Sequence, residues 1–554
     1  MKIVECVPNF SEGRDHKILD AIADAIRSVK GVTLLDVDPG ADTNRTVVTF
    51  VGDPESVVEG AFQAIKKAAE LIDMSKHSGA HPRMGATDVC PFVPVSDITM
   101  EECVQLAHKL GKRVGEELGI PVYLYEYAAT KPEWRNLAEV RKGEYEALPE
   151  KMKDPVWKPD YGPQKFNVRS GATAISAREF LIAYNINLNT RDKKKAHDLA
   201  LMIREKGRLK RDRKSNVVTD EEGSRIREPG FFKHCKAVGW YIDEYRRAQI
   251  SINLTNYKIT PPHLVLEKIR ELAMQKGIQV TGSELVGLIP KAAIIAAGKY
   301  YLNRLGECSG IPEKMIIETA IQSMGLDDLV PFATNEKIIE YAIRNKNNLV
   351  NLPVEDFAAE LSSDSPAPGG GSVAALCAVL SGALSAMVAN LTFGKKNYEK
   401  VWQEANQIAE QGQEIQKKAL ELIDKDTEAF NKMMEASRLP KQTPEQQEER
   451  EQIMESATKA AVMVPLATLQ SAGEAVDLAA RISMIGNSNA LSDAGVAAIN
   501  ANAAAKSAYL NIKINMSGIK DEKFKFEIMT RVEEMLDHIN NTALNVENQI
   551  KEKI

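Results

Sequence analysis

The sequence predicts a multidomain fold in which two α/β sandwich subdomains precede an all-α helical bundle. Three observations support this prediction. The chain has 554 residues, which is too long for a single hydrophobic core. Short runs rich in β-branched residues alternate with helical patterns as far as residue 330. Beyond residue 353, helical periodicity continues with almost no strand signal, which is typical of an antiparallel bundle.

Residues 1–177 are predicted to form the first sandwich subdomain. Its elements are strands at Ile3–Val7, Val32–Val37, Thr46–Val51, Val89–Val95 and Val122–Tyr125, and helices at His16–Val29, Pro54–Ile72 and Thr99–Leu118. The stretch Lys153–Gly171 has no clear periodicity. Because Trp157, Tyr161 and Phe166 need something to pack against, we expect an ordered loop there rather than a flexible linker.

Residues 178–330 are predicted to form the second subdomain. Its elements are strand Phe180–Asn189, helix Lys194–Lys206, strands Ala237–Tyr241 and Gln249–Asn256, helix His263–Lys276 and strand Ile278–Thr281. This order of strands and helices is that of a ferredoxin-like unit. A basic run from Arg204 to Lys214 begins a segment that extends to about residue 236. It is either a solvated, mobile loop or an electrostatic dock for an acidic substrate tail.

Residues 331–352 are predicted to link the two halves, and residues 353–554 to form the helical bundle. Pro440–Pro444 and Gly486–Asn489 are predicted to interrupt long helices. The segment Pro366–Gly394 carries no charge and is long enough to cross a membrane. Its content of Ala, Ser and Gly favours close helix packing in a bundle instead.

Composition and charge argue against several classes of function. A net charge of -6 argues against general nucleic-acid binding. The six cysteines are scattered and none forms a CxxC pair, which argues against a zinc site and a disulfide framework. The opening MKIVECVPNF lacks the basic and apolar regions of a signal peptide. We therefore expect a protein of the reducing cytoplasm, with neither nucleic acid nor membrane as a partner.

One histidine stands out in the first subdomain. His81 lies beside Pro82 and Arg83 in the segment HSGAHPRMGATDVCPFVPV, just before an apolar run. Gly79 and Gly85 allow backbone angles that other residues avoid. Such a loop can aim an imidazole into a cleft, where it can take or give a proton near neutral pH. The alternative is a surface histidine that stabilises a turn.

Several longer motifs resemble those of the formimidoyltransferase-cyclodeaminase family. VECVPNFSEG (Val4–Gly13), LLDVDPGADTNRTV (Leu34–Val47), HPRMGATDVCPFVPV and GEYEALPEK (Gly143–Lys151) resemble glutamate formiminotransferase. APGGGSVAA (Ala367–Ala375), DKDTEAF (Asp424–Phe430) and LSDAGVAA (Leu491–Ala498) resemble formimidoyltetrahydrofolate cyclodeaminase. The motifs occur in the family's order along nearly all the chain. The resemblance implies two similar, ferredoxin-like α/β sandwiches that face each other across a groove, followed by the bundle.

The resemblance implies that His81 is the catalytic residue of the transferase half. There a formimino group moves from a glutamate nitrogen to a pteridine nitrogen of tetrahydrofolate. One histidine can deprotonate the attacking amine and protonate the departing one. Asp38 and Asp88 are candidates to orient the imidazole, or they are turn and strand-end residues. Arg45 and Arg83 are candidates to hold substrate carboxylates, or they form structural salt bridges.

The family binds folate along a loop that corresponds to residues 162–171. Its members are Gly162, Pro163, Gln164, Lys165, Phe166, Asn167, Val168, Arg169, Ser170 and Gly171. Phe166 is expected to stack on the pterin or aminobenzoyl ring, and backbone groups of the glycines to bond the pterin edge. The polar stretch Asn167–Arg169 stands where the family is more apolar.

Helical geometry selects one carboxylate in the bundle. On a helical wheel of Ala419–Met434, Asp424 falls in the charged arc and is expected to be solvated. Asp426 falls among apolar residues such as Phe430 and Met433. A carboxylate facing a core is unfavourable unless paired or functional, and burial raises its pKa, as suits a general acid. The family's catalytic aspartate also corresponds to Asp426. The alternative is a structural aspartate bonded to nearby backbone or hydroxyl groups.

A glycine-rich turn precedes the first long helix of the bundle. The turn consists of Gly369, Gly370, Gly371 and Ser372. Its N–H groups lie at a helix N-terminus, where a folate carboxylate or a pterin carbonyl can bind. It lacks the lysine of a nucleotide P-loop, and a tight helix entry is the alternative. Asp493, together with Asn487 and Ser492, either completes this pocket or caps the next helix.

The resemblance implies a bifunctional enzyme of histidine degradation. It would transfer the formimino group of N-formimino-L-glutamate to tetrahydrofolate, then cyclise 5-formimidoyltetrahydrofolate to 5,10-methenyltetrahydrofolate with loss of ammonia. Polyglutamylated tetrahydrofolate is the expected co-substrate, and neither a metal nor a nucleotide is implied. The family assembles as an octamer, so a homo-oligomer is expected. Two alternatives remain: a formyltransferase acting on glutamate or folate, and a non-catalytic folate-binding scaffold.

Overall fold

The computed structural model of the chain describes residues 2–40, 44–79, 82–212, 216–220, 223–243, 245–343 and 348–554. The chain divides into two compact units. Unit 1 comprises Met1–Ala297 and Met324–Arg344, and unit 2 comprises Gly298–Ser323 and Asn345–Ile554. Unit 1 contains the sheets, and the described part of unit 2 is helical, so the predicted change from α/β to all-α structure is confirmed. Residues 298–323 group with unit 2, whereas the sequence analysis assigns them to the second α/β subdomain.

The strands of unit 1 are short, and most of them follow the predicted runs. They are β1 Ile3–Cys6, β2 Asn9–Phe10, β3 Val32–Gly40, β4 Arg45–Gly52, β5 Thr87–Ser96, β6 Val122–Glu126, β7 Thr173–Ala177, β8 Ile182–Leu188, β9 Arg208–Leu209, β10 Arg227–Glu228, β11 Cys235–Ile242, β12 Arg247–Leu254 and β13 Val280–Val286. The sequence analysis misses β2, β7, β9 and β10. β2 has two residues, and in β7, TAISA, two alanines and a serine dilute the β-branched signal.

The helices beyond residue 353 and five of those before it follow the predicted periodicity, and the others are not predicted. They are α1 His16–Arg27, α2 Pro54–Leu71, α3 Met100–Glu117, α4 Leu137–Val140, α5 Glu144–Lys151, α6 Lys193–Ile203, α7 Pro262–Met274, α8 Lys291–Leu305, α9 Glu313–Met324, α10 Thr334–Lys337, α11 Ile339–Ala342, α12 Val354–Leu361, α13 Gly370–Asn390, α14 Trp402–Ser437, α15 Pro444–Ile485, α16 Leu491–Met516 and α17 Glu522–Lys553. Asp15, Asp53 and Thr99 begin α1, α2 and α3 because their side chains accept backbone N–H groups of the first turn.

Seven strands of the described chain form one mixed sheet in unit 1. β3 pairs with β4, both β4 and β5 pair with β1 and β2, and β7 lies between β5 and β6. The pairings of β7 are parallel and the others are antiparallel. With seven strands, two of its pairings parallel, this sheet is larger than the four-stranded antiparallel sheet of a ferredoxin-like unit. Apolar residues of α1, α2 and α3 pack on one face and form its core.

Aromatic residues cover part of the other face of this sheet. Tyr123 of β6 and Trp134 are buried, and Trp134 stacks on Trp157 with ring centroids 6.0 Å apart. Tyr123 contacts both indole rings edge-on. Tyr161 lies further along the same stretch, and its hydroxyl is 2.8 Å from Nδ1 of His108. The stretch 153–171 is therefore an ordered loop anchored by aromatic side chains, as predicted.

The second sheet of unit 1 is antiparallel, with the strand order β11–β12–β8–β13. The described part of the basic segment between α6 and β11 contains two short strands, and both interpretations of this segment, a solvated mobile loop and a dock for an acidic substrate tail, stay predictions. β9 pairs with β10, and the side chains of Asp212 and Asp220 accept the N–H groups of Asn216 and Ser224 to close two turns. Residues 213–215 of the basic run lie outside the described residues.

Unit 2 is a bundle in which small residues allow close helix contacts. By length and composition α13 could cross a membrane, yet 61% of its most apolar window is buried within the chain. A Cβ on Gly382 of α13 would lie 2.9 Å from the carbonyl oxygen of Gly412 of α14. Alanines of α13, α15 and α16 fill much of the core. This packing is the one predicted for the charge-free segment.

Candidate active sites

The predicted catalytic loop of unit 1 is held by polar side chains on both sides. Residues 80 and 81 lie outside the described residues, so the position of His81 is not part of the description. Nδ1 of His77 accepts a hydrogen bond from Nε of Arg83 at 3.2 Å, which leaves Nε2 to donate to the carbonyl oxygen of Asn44 at 2.9 Å. The Asn44 amide donates in turn to the carbonyl oxygen of Ser78 at 2.9 Å. These bonds join the NRTV and HPRMG motifs.

Arg83 forms a structural ion pair. Its guanidinium makes two hydrogen bonds to the carboxylate of Glu146, at 2.8 and 2.6 Å, and one to Glu144 at 3.0 Å. The bond to Glu146 raises the pKa of Arg83 and lowers the pKa of Glu146. Because two protein carboxylates already occupy this guanidinium, the salt-bridge interpretation fits Arg83 better than substrate binding. The bonds also join HPRMG to GEYEALPEK.

Asp88 is the centre of a buried cluster of charges. Its side chain has no exposed area. Oδ2 accepts hydrogen bonds from Arg45 and from Arg141, the latter at 2.8 Å, and Oδ1 accepts the N–H of Met84 at 2.9 Å. Arg45 also donates to Oδ1 of Asn9 at 3.2 Å. The structure thus brings together Arg45 and Asp88, which the sequence analysis selected separately, and places two cations on one anion.

Arg141 is a residue of this cluster that the sequence analysis misses. Its Nε–H is buried and has no hydrogen-bond partner among the described residues. The side chains of Arg45 and Arg141 are 11% and 14% exposed, so a ligand can still reach them. An excess of positive charge with an unsatisfied donor suits a substrate carboxylate. Arg141 could have been selected from the sequence because it lies just before the GEYEALPEK motif.

Asp38 does not join the cluster around Asp88. It lies on the exposed strand β3, in register with Val47 of β4. Burial raises the pKa of its neighbour Asp36, and the charge of Asp38 contributes in the same direction. The proposed role of Asp38 in orienting His81 stays a prediction, because His81 lies outside the described residues.

The predicted folate loop adjoins the catalytic motif. Gly171 pairs with Gly85, and the N–H of Ala86 donates to the carbonyl oxygen of Ser170 at 2.9 Å. Gly171 has a φ of 66°, and a Cβ there would lie 2.2 Å from the carbonyl oxygen of Met84. This close approach therefore requires glycine. The structure brings the end of the loop against HPRMG.

Several side chains of the loop are used within the protein. Oδ1 of Asn167 accepts the N–H of Ser170 at 2.9 Å, and Arg169 donates to two carbonyl oxygens near the end of α2. Phe166 is half-buried against Tyr145, with ring centroids 5.3 Å apart, so stacking on folate would use the rest of its surface. The exposed members of the loop are Gly162, Pro163, Gln164, Lys165, Val168 and Arg169.

Unit 2 contains a cavity of about 650 Å³ among four helices. It is lined by the N-terminus of α13, the middle of α14, part of α15 and the C-terminal end of α16. Asp426 and Gly369–Gly371 all line it, so the structure brings together residues that separate arguments selected. The volume is that of a typical small-molecule site. In the described part of the chain, no group of three or more His, Cys, Asp or Glu side chains is arranged to hold a metal ion.

Asp426 lies against the N-terminus of α13. A Cβ on Gly371 would lie 2.1 Å from Oδ1 of Asp426, so this contact requires glycine. Oγ of Ser372 is 3.3 Å from Oδ2 of Asp426 and 3.0 Å from the carbonyl oxygen of Ile423, and these two acceptors share its proton. Burial raises the pKa of Asp426, and the hydrogen bonds from Ser372 oppose part of that rise. A carboxyl group in this position holds its proton to higher pH than an exposed aspartate does.

Of two other carboxylates of unit 2, one differs from expectation and the other lies away from the cavity. Asp424 is half-buried rather than solvated: a short turn packs over α14, the N–H of Leu349 donates to Oδ1 at 2.8 Å, and burial raises the pKa of Asp424. Asp493 lies in the first turn of α16, whereas Asn511 of the last turns lines the cavity. That separation is roughly 27 Å along a helix, so the structure does not bring Asp493 to this cavity. Asn487 caps the turn before α16.

Comparisons with known proteins cover nearly the whole chain. Family models match the chain in three consecutive parts: formiminotransferase domain, N-terminal subdomain, at residues 3–178; formiminotransferase domain at residues 183–344; and formiminotransferase-cyclodeaminase at residues 353–534. A formimidoyltransferase-cyclodeaminase from Gallus gallus is 44% identical over 539 residues, which cover 97% of this chain and 96% of that protein. The chain belongs to the formimidoyltransferase-cyclodeaminase family. The resemblance inferred from the motifs is therefore confirmed.

Two shorter relatives match parts of the chain. A glutamate formimidoyltransferase from Streptococcus pyogenes is 45% identical over 301 residues, covering 54% of this chain and 93% of that protein. A methenyltetrahydrofolate cyclohydrolase from Methylorubrum extorquens is 36% identical over 204 residues, covering 37% of this chain and 98% of that protein. A formimidoyltransferase-cyclodeaminase chain therefore combines parts whose relatives occur as separate proteins.

Proposed function

We propose that this chain catalyses two consecutive steps of histidine degradation. It transfers the formimino group of N-formimino-L-glutamate to tetrahydrofolate, giving L-glutamate and 5-formimidoyltetrahydrofolate. It then cyclises that product to 5,10-methenyltetrahydrofolate with release of ammonia. The match to a formimidoyltransferase-cyclodeaminase over 97% of the chain carries this conclusion. Each unit contributes one set of polar residues to the chemistry.

In the transferase step, the pteridine nitrogen attacks the formimino carbon and the glutamate nitrogen leaves. The tetrahedral intermediate carries both amines, so a proton must leave one and reach the other. We assign this transfer to His81. Arg45 and Arg141, held together by Asp88, bind a carboxylate of formiminoglutamate. Holding the substrate there fixes the formimino carbon relative to the attacking amine.

In the cyclodeaminase step, the anilino nitrogen of 5-formimidoyltetrahydrofolate attacks the formimino carbon and closes a ring. The formimino group enters as an amidinium cation, so its terminal nitrogen already carries two protons and must gain one more before it can leave as ammonia. Asp426 supplies this proton, because its raised pKa keeps the carboxyl group protonated to higher pH. The proton lost by the anilino nitrogen restores the acid. Ser372 and the positive end of α13 stabilise the carboxylate in between.

The finer points of the assignment are also proposals. The strand order β11–β12–β8–β13 supports a ferredoxin-like second subdomain. Free and mostly buried cysteines support a reducing cytoplasm. We propose that folate is used in its polyglutamylated form, whose anionic tail would be held by exposed lysines and arginines such as those of the basic segment, and that the chain acts as a homo-oligomer. Both steps need only proton transfers to make and break their carbon–nitrogen bonds, so we propose that neither a metal nor a nucleotide takes part.

A second candidate activity is hydrolysis of the methenyl product. The match to 98% of a methenyltetrahydrofolate cyclohydrolase favours it. Water would add to the carbon from which ammonia has just left. One carbon–nitrogen bond of the ring would then break to give a formyltetrahydrofolate and one proton. Accumulation of formyltetrahydrofolate from supplied methenyltetrahydrofolate, faster than the uncatalysed reaction and lost in Asp426→Asn, would establish this activity.

A single-turnover assay tests the two-step function. The chain is mixed with formiminoglutamate and tetrahydrofolate, and methenyltetrahydrofolate absorbance and ammonia are followed together. We expect both products in amounts equal to the formiminoglutamate consumed. Consumption without ammonia would leave a transferase attached to an inactive helical unit. Turnover of formylglutamate alone would favour a formyltransferase instead.

A further inference from the structure

Two asparagines of the unit 2 cavity take no part in the steps above. Asn511 and Asn515 both line the cavity and lie one helical turn apart on α16, which places their Cβ atoms about 5–6 Å apart. A Cβ on Gly370 would meet the Asn511 amide at 3.5 Å. Because the next residue, Gly371, touches Asp426, Asn511 lies at the same end of the cavity as the acid.

Neighbouring carbonyl groups determine how each amide is oriented. Nδ2 of Asn511 donates to the carbonyl oxygen of Ser507 at 2.8 Å, and Nδ2 of Asn515 donates to that of Ala461 at 3.1 Å. A flipped amide would place two acceptors against each other, so nitrogen must face the carbonyl in both cases. Each Oδ1 atom is therefore turned away from these carbonyls. Neither Oδ1 has a hydrogen-bond partner among the described residues.

Other polar side chains around the cavity are already engaged. Arg450 donates to the carbonyl oxygen of Ser437 at 2.9 Å, and Lys520 pairs with Glu451 at 2.7 Å. Thr458 donates to a carbonyl oxygen one turn earlier in α15. The two amide oxygens are thus neutral acceptors that remain available to a ligand. They call for a ligand that presents N–H donors close to Asp426.

The substrate of this step presents such donors on its pterin ring. The reacting carbon is bonded to a pteridine nitrogen, so the ring must lie next to the acid. A reduced pterin carries a 2-amino group and ring N–H groups along its edge. We propose that Asn511 and Asn515 accept hydrogen bonds from these pterin N–H groups and hold the ring where the formimino carbon meets Asp426. This assignment rests on the proposed cyclodeaminase function and names the residues that select a pterin.

The first test is the kinetics of Asn511→Ala and Asn515→Ala in the full chain with supplied 5-formimidoyltetrahydrofolate. We expect KM for cyclisation to rise about 2–10-fold in each, the range for a lost neutral hydrogen bond, with a smaller change in kcat. Asn500→Ala is a matched control, because Asn500 makes the same bond to the carbonyl four residues earlier in α16 but does not line the cavity. Formimino transfer in unit 1 should keep its wild-type rate in all three variants.

A substrate analogue with the 2-amino group replaced by methyl separates pterin recognition from a structural role. The wild-type chain should cyclise this analogue with a KM about 2–10-fold higher, and at least one of the two variants should lose that discrimination. Discrimination retained in both variants, or an equal rise of KM in Asn500→Ala, would overturn the assignment. If the wild-type chain released no ammonia, the proposed function would fail. Equilibrium binding of 5-formyltetrahydrofolate would then test the assignment by itself. In that measurement, Asn511→Ala must weaken binding at one class of folate sites.

Discussion

The two units build their reactive groups in opposite ways. In unit 1, Asp88 is shared by Arg45 and Arg141, so a buried carboxylate is surrounded by positive charge. In unit 2, Asp426 has no cationic partner among the described residues and is held by Ser372 and a helix N-terminus. Burial raises the pKa of Asp426, so this carboxyl group in uncharged surroundings keeps its proton to higher pH. The first arrangement suits the binding of an anion, and the second suits the donation of a proton.

Replacing the proposed acid or base should break one step and spare the other. Asp426→Asn removes the proton donor, so cyclisation of supplied intermediate should fall by roughly 10²–10⁴, with formimino transfer unchanged. His81→Ala should have the reverse effect. Formiminoglutamate consumption and ammonia release are measured separately. Loss of both activities in either variant, at an unchanged melting temperature, would mean that the two steps do not use separate sites.

Gly371→Ala tests the contact that positions the acid. The new Cβ would lie 2.1 Å from Oδ1 of Asp426, so the carboxyl group or α13 must move. A shift of about 1 Å can reduce a rate by about 100-fold, and we expect cyclisation to fall by about 10- to 100-fold without loss of transfer. Gly369→Ala is the matched control, because a Cβ there meets nothing within 4 Å. Equal losses in both variants would point to glycine flexibility rather than this contact.

Arg141→Gln tests whether the charge cluster of unit 1 binds substrate. Loss of a charge-assisted bond to a carboxylate should raise KM for formiminoglutamate by about 10- to 100-fold, while KM for tetrahydrofolate stays near its wild-type value. Arg113→Gln is a control, since Arg113 pairs with Glu59 and Glu117 and is no part of the cluster. A fall in kcat at constant KM would show that Arg141 acts by holding Asp88 rather than by touching substrate.

The periodicity of the sequence shows which face of a helix a residue lies on. It does not show which distant residues pack against that face. The helical wheel found Asp426 because the side-chain direction of one helix follows from its period alone. The same wheel placed Asp424 in solvent, since it cannot report that a turn near Leu349 covers that arc. Arg141 was missed for a similar reason: its partner Asp88 lies on a distant strand. Local residue types predict elements, whereas pairings between distant segments depend on the assembled fold.

Motifs shared with a family supplied what periodicity could not. The contact of the folate loop with HPRMG depends on two glycines far apart in the chain. Gly85 lies in the HPRMG motif, and Gly171 lies in the loop that corresponds to the family's folate loop. Motifs also left ambiguities of their own. From the sequence, an aspartate near a helix start can be interpreted either as a helix cap or as a pocket residue. Only the structure shows that Asp493 is far from the cavity.

Replacing Glu5 tests whether burial alone makes a carboxylate functional. We expect this replacement to have the smallest effect on activity. Glu5 of β1 is buried, and burial raises its pKa from 4.5 to about 7, with Arg178 opposing part of the rise. Because the folded-state pKa lies above the ordinary value, the folded chain binds this proton more tightly than the unfolded chain does. The contribution of Glu5 to stability is therefore greatest below pH 4.5 and declines as pH rises through about 7.

Glu5→Gln removes this penalty without changing the shape of the side chain. We expect the free energy of unfolding of unit 1 to rise by about 3 kcal/mol at alkaline pH, with most of the gain absent under mildly acidic conditions, and formimino transfer to be unchanged. Glu116→Gln, at an exposed position of α3, should show no such pH dependence. Loss of transfer in Glu5→Gln at normal stability would mean that this carboxylate also serves the reaction. Burial could then not be used to tell a structural carboxylate from the acid of unit 2. Access to a cavity would be the remaining criterion for a catalytic carboxylate.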